Sequence, residues 1–303
     1  MFFYHSVKED LLAANTPFSD VYRLSTSGRF TILAIDHGDV LRHHFALEGV
    51  EMTDSRLKEA KLAVVRSLAP HCSAVLVDLE LAEEPEFVDL KAGAGFGLLV
   101  SVDEADYDVV HQPLPSVPDS DQIERAKRAG AAALKVVVYY DRDSVDADAR
   151  RERIGAIAEM GRRAGLPLLV EPLPTGRVDE ASWPVELVAR DMADAGAAIV
   201  KVPLPNQSAI ETRELAERIT ELLGTVPWII LSSGAAFPEF LERLRGAMAG
   251  GASGFAAGRS LWDDLITRPD DHDATSDALR RLNLVIEATI GESPLATPGA
   301  TTD

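Results

Sequence analysis

Short apolar runs alternate with longer amphipathic stretches along this chain, and the alternation continues from residue 30 to residue 291. The runs read FTILAIDHG (30–38), CSAVLVDLE (72–80), GFGLLVSVD (95–103), AAALKVVVYYD (131–141), PLLVEPLP (167–174), AAIVKVPLP (197–205), PWIILSSG (227–234) and SGFAAGRSLW (253–262). Each is short, apolar and bounded by Gly, Pro or charge, as strands buried on both faces are. Between them the periodicity predicts helices near 54–69, 119–129, 146–164, 184–195, 208–223, 237–249 and 275–291, while 81–93 shows little period and stays unassigned. Several helical stretches end in a glycine just before the next run, in KRAGAAAL, RRAGLPLL, ADAGAAIV and MAGGASGF. That is where a helix closes on a left-handed cap.

Eight strands, each followed by a helix or a helix-sized segment, predict an α/β fold, a (βα)8 TIM barrel. An open doubly wound sheet is the second reading. It lacks support, since no G-x-G-x-x-G follows the first strand and the cluster Gly93, Gly95, Gly97 precedes a strand instead of opening a helix. No linker divides the chain. The expectation is one barrel domain over 1–291 that includes an N-terminal extension at 1–28, with a disordered tail at 292–303. Residues 104–118 form a long irregular connection at the C-terminal end of a strand, where a lid or substrate wall is expected.

The 303 residues are 46% apolar and can bury a large core. With 30 basic and 49 acidic residues the formal charge is −19, which argues against nucleic acid or an anionic membrane as the main partner. A small anionic substrate needs only a local positive site and is not excluded. One cysteine, Cys72, rules out an intramolecular disulfide. The opening MFFYHSVKED lacks the basic region and long apolar stretch of a signal peptide, and no segment approaches the ~18 apolar residues of a membrane span. A soluble cytoplasmic protein is the expectation, with its oligomeric state open and a homo-oligomer one option.

Barrel active sites form at the C-terminal ends of the strands, so polar residues there are the candidates. They are Asp36 and His37, Asp78 and Glu80, Lys135, Glu171, Lys201, Ser232 and Ser233, and Gly258 and Arg259. Of seven lysines, only Lys135 and Lys201 interrupt apolar strands; the other five lie in polar segments expected to be exposed. Alternation puts Lys201 on the side of Ile199 and Pro203 and Lys135 on the side of Ala133, Val137 and Tyr139; if both point inward, they meet inside one barrel with Glu171 between their strands. One reading is a buried ion pair tying strands together, though desolvation offsets much of such attraction. The other is Schiff-base catalysis. Desolvation and a neighbouring cation favour a neutral amine that can attack a carbonyl, and the iminium then draws electrons from an adjacent C–C bond. Lys135 would supply that cation and bind substrate oxygens, and Glu171 or Asp36, with His37 as a further candidate, would carry protons.

LSSGAA at the end of the seventh strand and AAGRSLW at the end of the eighth suit a phosphate site. Gly234 and Gly258 allow close backbone approach, Ser232 and Ser233 offer hydroxyls, and Arg259 offers a bidentate fork. The plainer alternative is turn glycines and a surface arginine. Of the seven histidines only His37 sits at a strand terminus, and it joins the substrate-binding candidates. Asp78 and Glu80 read as structural carboxylates at the barrel rim. No His/Asp/Glu set has metal-ligand spacing, so neither a metal nor another cofactor is predicted.

At LAIDHGDVLR (33–42), AVLVDLE (74–80), ALKVVVYYD (133–141), ERIGAIAEMGRRAGLPLLVEPL (152–173), AIVKVPLP (198–205) and WIILSSGAAFPEFLERLRGAMAGGASGFAAGRSLW (228–262) the chain resembles a class I aldolase family. That family includes tagatose-1,6-bisphosphate aldolase and sulfofructose-phosphate aldolase. The resemblance implies a (βα)8 barrel that cleaves a phosphorylated ketose, without metal, through a lysine imine to dihydroxyacetone phosphate and an aldehyde. It implies that Lys201 forms the imine, that Lys135, Glu171 and Asp36 are polar residues of the active site, and that Ser232, Gly234, Gly258 and Arg259 hold the ketose phosphate. One departure stands out. The family's first strand usually ends Asp-Gln-Arg, whereas this chain reads Asp36-His37-Gly38-Asp39. If the family's arginine holds a second anionic end, the change predicts an aldehyde half without phosphate or sulfonate. Two other readings are an isomerase or epimerase that enolises with Glu171 and Lys135, and a barrel that binds a sugar phosphate without catalysis.

Overall fold

Inward and outward residues of the first strand, β1 (Phe30–Ala34), belong to two different cores, and this division repeats around the molecule. Phe30, Ile32 and Ala34 join Leu76, Leu99, Leu169, Ile199 and Ile229 in one buried cluster, whereas Leu33 joins Val75, Val100, Val136, Val170 and Ile230 in the other. The first fills the barrel and the second lies between sheet and helices, as the two-residue period of strands buried on both faces requires. The computed structural model describes residues 19–38, 41–42, 45–46, 52–103, 114–176 and 182–291.

The remaining strands are β2 (Ala74–Asp78), β3 (Gly97–Ser101), β4 (Ala133–Tyr139), β5 (Leu168–Leu173), β6 (Ile199–Val202), β7 (Trp228–Leu231) and β8 (Gly254–Ala257). All pairings are parallel, and β8 returns to β1 to close the barrel in sequence order. The open-sheet reading is therefore excluded. Closure is tight where β8 begins: Gly254 has φ +150°, and a methyl there would lie 1.9 Å from the Phe30 carbonyl oxygen. Only glycine fits.

The helices are α1 (Asp54–Leu68), α2 (Leu79–Ala82), α3 (Pro85–Ala94), α4 (Ser120–Arg128), α5 (Ala147–Ala164), α6 (Val185–Asp194), α7 (Ala209–Leu223), α8 (Phe237–Ala249), α9 (Arg259–Thr267) and α10 (His272–Ile290). The unassigned stretch 81–93 is thus largely helical. Its period is hard to read because Pro85 starts a new helix just after α2 ends, and Phe87 is the only residue α3 buries. The eighth apolar run predicts a strand to 262, but β8 stops at Ala257 and Arg259 opens α9. Of the N-terminal extension, Ser19–Leu24 forms a 3-10 turn whose Val21 and Leu24 enter the barrel-filling cluster at the strands' N-terminal end, against Phe30 and Gly97. The 292–303 tail and residues 104–113 of the expected lid lie outside the described residues.

Lys61 corrects an expectation: it is buried, not exposed. It lies on the inner face of α1 and pairs with Asp78, whose other oxygen caps α2 by accepting from the Leu81 amide at 2.8 Å. Asp78 thus has a structural engagement at the rim. Among the described residues, no helix is long and apolar enough to cross a membrane.

Candidate active site

Parallel strands present all their C-terminal ends at one mouth, and most of the predicted polar residues meet there; Asp78 is engaged with Lys61 and α2 instead, and Glu80 lies exposed on α2. Strand register sets their levels. Val200 lies beside Val170, so Lys201 stands next to Glu171 across β5 and β6. Val137 lies beside Glu171, so Lys135 enters one inward layer lower on β4. The result is a chain of charges. Lys201 Nζ lies 2.9 Å from Glu171 Oε2, Lys135 Nζ lies 3.5 Å from the same oxygen, and Lys135 Nζ donates to Asp36 Oδ2 at 2.8 Å. All four side chains are at least nine-tenths buried.

Asp103 completes the cluster and was missed in the sequence. Its Oδ1 is 3.8 Å from Lys135 Nζ and accepts from Ser101 Oγ at 2.7 Å, while Oδ2 accepts from the Val137 amide at 3.0 Å. The signal was present at the end of the third run, where Ser101 and Asp103 are the polar residues of GFGLLVSVD.

Burial and charge act differently on the three acids. Burial pushes Asp36 upward, but the Lys135 and Lys201 charges and the Lys135 hydrogen bond outweigh it and hold the carboxyl well below its ordinary range. Glu171 is also lowered: burial opposes ionisation, and the two lysines more than offset it. For Asp103 burial wins over the more distant Lys135, and its value is raised.

His37 follows Asp36 at the mouth of β1. Burial lowers its imidazole to about 4, so the ring is neutral at pH 7. It stands edge-on to Trp262, ring centres 5.7 Å apart, and Trp262 is fixed by donating from Nε1 to the Ala34 carbonyl at 3.0 Å.

The cluster opens into a cavity of about 520 Å³ whose walls include Lys201, Glu171, His37, Tyr139, Trp183, Ser232, Ser233, Gly234, Gly258 and Arg259. Lys135 and Asp36 stand behind this wall. Trp183 and Tyr139 were not foreseen; the Trp183 indole is held by donating to the Tyr140 carbonyl at 3.0 Å. After β7 the backbone takes two successive left-handed residues, Ser233 (φ 51°) and Gly234 (φ 69°), closed by the Ala235 amide donating to the Ser232 carbonyl at 2.9 Å. A methyl on Gly234 would meet an Arg259 guanidinium nitrogen at 3.1 Å, so the arginine lies against this turn. Arg259 is also the first residue of α9, whose N-terminal amides favour an anion. Ser232 is buried and Ser233 exposed, so the two hydroxyls are not equivalent.

A profile for the DeoC/LacD family aldolases matches residues 30–264. The chain belongs to the DeoC/LacD aldolase family. Tagatose 1,6-diphosphate aldolase 2 of Streptococcus pyogenes serotype M1 is 29% identical over 272 residues, covering 79% of this chain and 82% of the relative. A 2-amino-3,7-dideoxy-D-threo-hept-6-ulosonate synthase of Archaeoglobus fulgidus is 27% identical over 246 residues, covering 80% of this chain and 82% of the relative. Among solved structures, an archaeal fructose-1,6-bisphosphate aldolase whose catalytic lysine carries a carbinolamine of the substrate superposes with a TM-score of 0.66 at 20% identity, covering 89% of this aldolase and 99% of that chain. Another archaeal fructose 1,6-bisphosphate aldolase gives a TM-score of 0.65 at 20% identity over 91% of this chain and 100% of its own. Both share the barrel.

Proposed function

We propose that the protein is a class I aldolase that cleaves or forms a C–C bond in a phosphorylated ketose through an imine on Lys201. Its products are dihydroxyacetone phosphate, or a similar ketone, and an aldehyde. The observation that carries this reading is Lys201 Nζ at 2.9 Å from Glu171 Oε2 on the wall of the cavity. Glu171 takes a proton from the Lys201 ammonium, and the amine adds to the ketose carbonyl. The same proton returns to the carbinolamine hydroxyl, which leaves as water. The iminium accepts the electrons of the breaking bond, so no metal is assigned a role. Lys135 keeps Asp36 and Glu171 ionised and in place. Arg259, Gly234, Gly258 and the Ser232–Ser233 hydroxyls hold the ketose phosphate beside the α9 N-terminus. The relatives named for tagatose 1,6-diphosphate cleavage support a phosphorylated ketose as substrate.

Borohydride reduction in the presence of dihydroxyacetone phosphate, followed by peptide mass mapping, tests the reading. An adduct on Lys201 that Lys201→Met lacks is expected. No adduct with any ketose phosphate would return the field to an isomerase or a binding barrel. The first-strand change to His37, Gly38 and Asp39 supports an aldehyde half without a second anion; Asp39 itself lies outside the described residues. Comparable cleavage of a ketohexose 1-phosphate and its bisphosphate fits this, and a strong preference for the bisphosphate contradicts it.

A further inference from the structure

Retro-aldol cleavage needs an acceptor for the proton of the hydroxyl that becomes the aldehyde oxygen. His37 lines the same cavity as Lys201 and Glu171. Among the described residues its Nδ1 is buried without a hydrogen-bond partner, and it lies 3.7 Å from Asp36 Oδ1. An orphaned buried nitrogen is uncommon in a folded protein and asks for a reason. Asp36 cannot drift toward it freely, because Oδ2 is held by Lys135 at 2.8 Å. The ring sits in a fitted slot. It meets the edge of Trp262, and its Cε1 would be 3.0 Å from a methyl on Gly258, so glycine there leaves the imidazole room.

We propose that His37 is a catalytic residue of the C–C step: its imidazole takes the proton from the hydroxyl on the carbon that leaves as aldehyde. This rests on the imine reading above. As the bond to that carbon breaks, its electron pair moves to the iminium and forms the enamine, and the hydroxyl proton passes to His37. The new imidazolium finds a counter-charge at once. A small turn of the ring brings Nδ1–H from 3.7 Å into the hydrogen-bond range of about 2.7–3.2 Å from Asp36 Oδ1. Once the aldehyde departs, water entering the cavity takes the proton, and the enamine carbon takes one back from solvent. No proton is gained or lost overall. Burial supports the role by keeping the ring neutral, with the Lys201 and Arg259 charges acting in the same direction and Asp36 and Glu171 against it.

The step can be isolated, because His37 is assigned to an oxygen and to neither the amine nor the enamine carbon. His37→Gln and His37→Asn are compared with wild type for borohydride trapping of dihydroxyacetone phosphate, for deuterium exchange at its hydroxymethyl carbon, and for condensation with glyceraldehyde 3-phosphate or glyceraldehyde. Trapping and exchange are expected at wild-type rates, with condensation and cleavage lower by about 10²-fold or more. Retained trapping also shows that the variants are folded. Condensation that keeps pace with exchange in both variants, whether both are fast or both have fallen, overturns the proposal. An absent adduct in the wild-type protein sinks the imine reading instead, so the two failures are distinct.

Discussion

Lys135 and Lys201 converge on a single carboxylate oxygen, Oε2 of Glu171, at 3.5 and 2.9 Å. Strand register produces this. Glu171 occupies the strand between the two lysines, level with Lys201 and one layer above Lys135. The lower cation is held by Asp36 as well, and Lys201 is the one of the two that lines the cavity.

On the proposed mechanism, Glu171→Gln removes the proton acceptor but keeps the side chain's size. Imine formation is expected to slow by about 10²–10⁴-fold, the usual contribution of a positioned base. The KM for the ketose phosphate should change far less, because Arg259 and the Ser233–Gly234 turn are untouched. Rapid-quench borohydride trapping reads the first quantity and steady-state kinetics the second. Equal loss in both would mean that Glu171 acts in binding.

Lys135→Met leaves Asp36, Asp103 and Glu171 buried around an apolar stem. Removing one partner of a buried ion pair destabilises by roughly 3–5 kcal/mol, because the remaining charges stay desolvated. Urea unfolding followed by tryptophan fluorescence should show a loss of unfolding free energy of that size at pH 7. The contrast is Lys61→Met, which frees only the half-buried Asp78 at the edge of α2 and leaves its bond from the Leu81 amide intact. That variant should trap the ketone normally.

The barrel was legible because each strand carries a short apolar run and the strand period fixes which face each residue takes. That parity puts Lys135 on the side of Ala133 and Lys201 on the side of Ile199, and the barrel-filling cluster that holds both neighbours settles the direction as inward. What the sequence hides is partnership across distant segments. Lys61 looks like an ordinary helix lysine until Asp78, seventeen residues on, arrives beneath it. Asp103 ends an apolar run without interrupting it, and only the pairing of β3 with β4 brings it to Lys135. Arg259 was found as a residue and misplaced as an element, since Phe255–Ala257 and the apolar face of α9 read as one run across Gly258.

Arg259→Lys tests the anion end of the cavity. Lysine keeps the charge but loses the planar fork, and it is a poor replacement where two parallel hydrogen bonds meet a phosphate. The KM for a phosphorylated ketone should rise with little change in the rate of bond cleavage. The thermal shift given by inorganic phosphate should shrink. Gly234→Ala is expected to do the same, because φ 69° disfavours a side chain and the methyl meets the guanidinium at 3.1 Å. Unchanged phosphate protection in both variants would move the anion site elsewhere.

His37 also sets a pH window for stability. Its folded value is lowered by burial to about 4, against 6.5 for the free side chain. A histidine held below its unfolded value stabilises the fold above pH 6.5. As pH falls, the unfolded chain takes up the proton first, and the stabilisation is lost progressively down to about pH 4. The loss is on the order of 3 kcal/mol. Asp36 and Glu171, both lowered, add their own losses from about pH 5 downward, as the unfolded chain takes up protons in the ordinary carboxylate range, and do so in the variant as well. His37→Gln should therefore show a flatter stability profile between pH 6.5 and 4, gaining on the wild type as acid is added. Unfolding free energies from urea titrations at half-unit pH steps measure this directly. A constant difference across the window would mean that the ring is already protonated in the folded protein, and that its neutrality at the cavity wall is wrong.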